Sequence, residues 1–152
     1  MDQIKTTAEA AESAALPRAH VVHTDPDAPA SAEQKPLPAG MAKQGEQPAS
    51  PAAWAYQRLI LYIQNFEEQL DEDHEVAMGF TGGDIGVLSI EGIGFFDPDL
   101  ITFYGTDESG TRTQLVQHYS QLNVMLRALR KQPDRPAPRR IGFKLAKELD
   151  ET

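Results

Sequence analysis

The chain has 152 residues, no cysteine and a formal charge of −9, which excludes a disulfide, a thiolate zinc centre and a thiol nucleophile, and opposes loose adsorption to nucleic acid or anionic lipid. No stretch approaches the roughly 18–20 apolar residues of a membrane helix, and the N-terminus, with Asp2 and no apolar run, does not resemble a secretory signal. A soluble, cytoplasmic protein with one small domain is the expectation.

Residues 1–50 hold no aromatic residue and several X-Pro steps, among them Leu16-Pro17, Lys35-Pro36 and Leu37-Pro38. Such steps bias the preceding residue away from helix, and little apolar burial is available to offset a backbone ordering cost of roughly 1–2 kcal/mol per residue. This Ala/Pro-rich segment is predicted to be a disordered arm, dispensable for folding, with at most a transient helix over Thr6–Ala15. Ser50-Pro51 then combines a favoured N-cap with a proline tolerated at the first helical position. Leu59, Ile63, Phe66 and Leu70 follow at helical spacing, so a core-facing helix is predicted over 51–70.

From Glu75 the pattern turns to short β-type runs. Strands are predicted at Glu75–Thr81 and Ile85–Glu91 around a Gly82-Gly83 turn, then at Leu100–Thr106 and Thr111–His118, with turns at Asp97-Pro98-Asp99 and Asp107–Gly110. Short loops make an antiparallel meander the simplest topology. Leu122, Met125, Leu126 and Leu129 recur at i, i+3, i+4 and i+7, which predicts a second amphipathic helix over 120–131. Beyond the prolines 133, 136 and 138, residues 139–152 could form one short helix that needs docking to persist. The fold class is thus α+β: a four-stranded antiparallel meander flanked by an N-terminal and a C-terminal amphipathic helix, with a compact domain over 51–132 and a Pro/basic tail over 133–152.

Charge divides the folded part. Residues 51–126 carry 12 acidic against 2 basic side chains, whereas residues 127–147 carry 8 basic against 1 acidic. Neutralisation of the acidic body by the basic segment is the leading reading of this split, ahead of nucleic-acid binding, for which interleaved aromatics are missing apart from Phe143. The run Asp71-Glu72-Asp73-His74-Glu75 lacks the alternating ligands and central glycine of a calcium loop, so no metal is expected. The glycines at 79, 82, 83, 86, 92 and 94 form no phosphate cradle, so no cofactor is expected. Phe95, Phe96, Phe103 and Tyr104 are read as core rather than as a base-stacking surface. His118 could serve as a general base, but no nucleophile pattern accompanies it.

Several short blocks between Trp54 and Phe143 carry a resemblance: His74-Glu75-Val76, Ile90–Phe96, Asp99–Gly105, Leu115–His118 and Ile141–Phe143. With these blocks the chain resembles a bacterial domain family of unknown function. The resemblance implies a shared fold and supplies no activity or catalytic residue.

The expected function is therefore a non-enzymatic protein-interaction module, adaptor-like or chaperone-like, that receives a basic or amphipathic protein partner. Glu67, Glu68, Asp71, Glu72 and Asp73, predicted to be solvated, are the candidate contact residues together with Gln117 and His118. The alternatives are a regulator that mimics nucleic-acid charge and a small hydrolase centred on His118.

Overall fold

A computed structural model describes residues 19–38, 40–41, 50–80 and 86–150. The Thr6–Ala15 helix and the Gly82-Gly83 turn expected from sequence lie outside the described residues.

Helix α1, Pro51–Glu68, starts where the cap chemistry places it: the Ser50 hydroxyl accepts from Ala53 N at 3.1 Å, and Pro51 occupies the first helical position. Strands β1 (His74–Phe80), β2 (Val87–Phe96), β3 (Leu100–Thr106) and β4 (Arg112–His118) follow in order, all pairing antiparallel. β2 runs five residues past the expected Glu91 and carries a register shift between Ile90 and Gly92. Opposite that shift β2 and β3 approach closely, since a Cβ at Gly105 would sit 2.2 Å from the Ser89 carbonyl oxygen. No side chain fits there.

The predicted helix over 120–131 does not form. A short 3-10 turn, Tyr119–Gln121, leads into a fifth strand, β5 (Val124–Arg130), which pairs with β1 along its whole length, from His74↔Arg130 to Phe80↔Val124. The sheet is five-stranded in the order β4-β3-β2-β1-β5, not the four-stranded meander of the sequence reading. The leucine spacing fits either element, but Val124 and Leu126 also alternate inward and pack on the core. What decides between them is β1, six of whose seven residues are buried. Without β5 one edge of this buried strand would have unsatisfied backbone N–H and C=O groups, each costly away from water.

The connection from β4 to β5 also dictates the sheet's shape. His118 lies level with Leu100 and Phe96, whereas Val124 lies level with Phe80, at the Val87 end of β2. In a flat sheet these points would be about 19 Å apart across four strand spacings and about 30 Å apart along the strands. Six residue steps reach at most about 21 Å. The sheet must therefore curl strongly until its ends approach, and α1 packs into the hollow. Ala52, Leu59 and Ile63 meet Val76, Met78, Leu88, Ile101 and Phe103 there, and Phe80 and Phe103 contact edge to face with ring centroids 5.1 Å apart.

A second, smaller core lies elsewhere on α1. The C-terminal helix α2, Gly142–Asp150, lays Ala146 and Leu149 on Ile60, and Met41 of the arm closes this cluster at 2% exposure with Leu37 beside it. The described part of the arm has little regular structure, a 3-10 turn at Ala32–Gln34 and helical backbone at Gly40 and Met41, as its composition led one to expect. Yet it is tied to α1. Lys35 Nζ meets Glu68 at 2.6 Å, the Tyr62 hydroxyl donates to the Glu33 carboxylate, and Met41 is buried. The expectation that the arm contributes almost no burial is therefore corrected at Leu37 and Met41.

Candidate functional site

The residues singled out from sequence do not form one site. The five carboxylates sit at or just beyond the C-terminal end of α1. Gln117 and His118 end β4, near the α1 N-terminus, where Ala52 N donates to the Pro98 carbonyl and Tyr119 N to the Asp99 carbonyl. An 18-residue helix is about 27 Å long, so the two groups are a domain's width apart.

At the acidic end most of the charge is already engaged. Glu67 is only 7% exposed, contrary to its expected solvation, and its two oxygens accept from Ile141 N and Gly142 N, each at 2.8 Å. A carboxylate there satisfies the first free N–H groups of α2 and faces the positive end of its dipole. The approach is close: a Cβ on Gly142 would lie 2.9 Å from Gln64 Cα. Glu68 pairs with Lys35. Asp71 accepts from the His74 ring at 2.6 Å and from Asp73 N at 2.8 Å, and these bonds hold its carboxyl below the ordinary aspartate range. Asp73 offers its carbonyl to Lys131 N at 2.7 Å, and Glu72 is exposed.

The basic segment clamps this end of the domain. Arg140 donates to the carbonyls of His74 and Asp71 at 2.7 and 2.8 Å, so a cation sits where the chain leaves the helix. Arg135 reaches the buried Glu75 with Nη2 at 3.0 Å and Nη1 at 2.7 Å, and Arg139 donates its backbone N–H to the same carboxylate and its guanidinium to the Ile90 carbonyl. Glu75, Arg135, Arg139 and Arg140 were not among the candidate residues. The signal that could have found them is the abrupt charge reversal at 127, combined with the cost of leaving so many carboxylates together without counter-ions.

At the other end, strand alternation sorts the side chains. Gln117 pairs with Ile101 on the inner face, whereas His118 pairs with Leu100 on the outer face. His118 caps the 3-10 turn: Ser120 N donates to its Nδ1 at 3.2 Å. Because Nδ1 accepts there, the Ser120 hydroxyl at 2.7 Å is a second donor to it, and Nε2 carries the proton facing Asp99 at 3.4 Å. The ring stacks on Tyr119 with centroids 4.8 Å apart.

The same alternation exposes aromatics that the sequence reading placed in the core. Phe103 is fully buried, but its neighbour Tyr104 points outward at 43% exposure, and Phe96 is 74% exposed. Phe95 is 42% exposed and leans on Tyr56 with centroids 4.9 Å apart. Register places Phe96 beside Leu100, Tyr104 beside Gly92, and Val116 beside Thr102, all on one outer face that continues to Tyr119. Gly92 leaves the Tyr104 ring lying across β2, since a Cβ there would touch it at 3.6 Å. An apolar ridge results. It borders β4, which among the described residues pairs with β3 alone, and Asp97 and Asp99 lie at its end.

Among the described residues, no group of three His, Cys, Asp or Glu side chains is placed to hold a metal ion, and no helix is long and apolar enough to cross a membrane. No curated protein and no solved structure matches the chain. A family model does match, over residues 51–144, which is the span from the first residue of α1 into α2 and so covers the sheet, the clamp and both ends of the helix. The chain belongs to the family of unknown function DUF6173.

Proposed function

We propose that the domain is a non-enzymatic protein-interaction module, and that its contact surface is the outer face of β2–β3–β4 rather than the acidic end of α1. The observation that carries this reading is the ridge of Phe96, Leu100, Tyr104, Val116 and Tyr119, exposed side by side next to the outer edge of β4, which no strand of the described residues pairs. A contiguous apolar patch with a polar rim is the usual mark of a protein contact, and a free edge can accept an extended segment as an added strand. With Asp97 and Asp99 at its end and a net charge of −9 on the chain, the face suits an amphipathic segment that alternates apolar and basic side chains.

The test is capture of partners from the native cell by the full chain, by Phe96→Ser/Tyr104→Ser, and by Glu72→Gln/Asp73→Asn. Loss of the captured protein with the aromatic pair alone supports this surface. Loss with the acidic pair alone returns the contact to the end of α1.

A hydrolase reading has one observation in its favour, the Asp99–His118–Ser120 chain of contacts, which has the polarity of a nucleophile, a base and an orienting carboxylate. Against it, the serine lies two residues from the ring that it contacts, the ring is the cap of that same turn, and the His118 and Asp99 side chains are 45% and 42% exposed, so water is not excluded. Turnover of ester or phosphoester substrates that disappears in His118→Ala would favour this reading over the interaction module.

A further inference from the structure

The arm and α1 line a half-open cavity of about 580 Å³ on the side of the helix turned away from the sheet, within the range of small-molecule sites. Its wall combines an apolar part, Leu37 and Leu61, with a cation. The Arg58 guanidinium lies 3.3 Å from the centre of the Trp54 ring, half-buried. Its protein hydrogen bonds are few and long: Nη1 to the Trp54 carbonyl at 3.3 Å and to Gln57 Oε1 at 3.4 Å. No carboxylate of the described residues lies within ion-pair distance of it.

A guanidinium has five N–H donors, and taking it partly out of water without an anion is unfavourable. Burial lowers the Arg58 pKa. The other charges on the wall are already engaged, Lys35 with Glu68 and Glu33 with Tyr62. Among the described residues one cation of this wall is therefore left without an anionic partner, and the Glu33 carboxylate on the same wall would repel a doubly charged phosphate.

We propose that this cavity binds a small organic acid carrying a single negative charge, its carboxylate held by the Arg58 fork and its apolar body lying against Leu37 and Leu61. Trp54 is the sole tryptophan of the chain, so its indole N–H gives one resonance that reports on this wall alone. The experiment is titration of the full-length protein with 1-naphthoate, and in parallel with the uncharged 1-naphthamide, following that resonance. The expected result is a saturable shift with the acid at a Kd of about 1 mM or tighter, and binding of the amide at least about tenfold weaker. Arg58→Gln is expected to bring the acid down to the affinity of the amide, and Phe96→Ser to leave both titrations unchanged. No saturable shift with the acid, or equal affinity for acid and amide, overturns the proposal. The acid–amide comparison on the unmodified protein decides the question even if Arg58→Gln does not fold.

Discussion

The two ends of α1 carry opposite lessons about what a sequence displays. The acidic end has the most conspicuous charge in the chain, and most of that charge is consumed internally: Glu67 caps α2, Glu68 holds the arm, and Arg140 bridges the carbonyls of Asp71 and His74. The aromatic end reads as core, and three of its four rings, those of Phe95, Phe96 and Tyr104, are exposed. Charge that can find a partner within the chain finds it when the chain folds, because unpaired carboxylates repel one another and leave N–H groups elsewhere unsatisfied. Aromatic residues on consecutive positions of a strand covered on one face only cannot all be buried, because a strand points them alternately to opposite faces, as the alternating burial of β3 shows.

The sharpest way to break this comparison is a pair of substitutions on the sheet. Phe103→Ala removes a fully buried ring and is expected to cost about 3–5 kcal/mol, whereas Phe96→Ala, 74% exposed, should stay within about 0.5 kcal/mol of the parent in chemical denaturation. Equal costs would mean that the outer ridge is packed and is no contact surface. Glu75→Ala comes next, at about 2–3 kcal/mol. It leaves the Arg135 guanidinium and the Arg139 N–H without their acceptor, and Arg135, a third exposed, recovers part of the loss through water. A double-mutant cycle with Arg135→Ala measures the coupling.

Glu67→Ala should cost about 1–2 kcal/mol, the worth of a helix cap with two charge-assisted bonds. Its signature is local: amide exchange in α2 should quicken more than in β1–β3. Neutral changes at Glu72, which is exposed, should stay within about 0.5 kcal/mol. If Glu67 and Glu72 behave alike, the acidic end is a solvated face after all.

The smallest effect is the pH range over which the arm stays docked. The bond from the Tyr62 hydroxyl lowers the Glu33 pKa and raises that of Tyr62. Glu33, depressed in the folded state, contributes stability that is present above its unfolded pKa of about 4.3 and lost as pH falls through the lower folded value. Tyr62, raised in the folded state, contributes stability that is present below its unfolded pKa of about 10 and lost as pH rises through the higher folded value. Tyr62 is exposed and Glu33 partly so, and solvent screening keeps the contribution to that of a surface contact. Hydrogen exchange of residues 31–37 against pH should show both limbs, and Tyr62→Phe should remove the alkaline one.

Local chemistry sufficed for much of this molecule. Ser50-Pro51 marks the start of α1 because cap and proline act on the residues beside them, and β3 runs over the expected Leu100–Thr106 because alternation and flanking turns agree there. The family resemblance over the folded part was likewise legible in short blocks, and the chain's match over 51–144 bears it out. The choice between helix and strand at Val124–Arg130 was not local: its leucines fit both periods, and only the open edge of buried β1 selects the strand. The pairing of Glu75 with Arg135 joins residues 60 positions apart, and that of Glu67 with Gly142 joins residues 75 apart. Composition announced that opposite charges were present; the curl of the sheet and the return of the chain over α1 decided which ones meet and which aromatics stay in water. The physical reason is one of range: capping, turn formation and periodicity act within a few residues of sequence, whereas burial and backbone satisfaction are properties of the assembled chain.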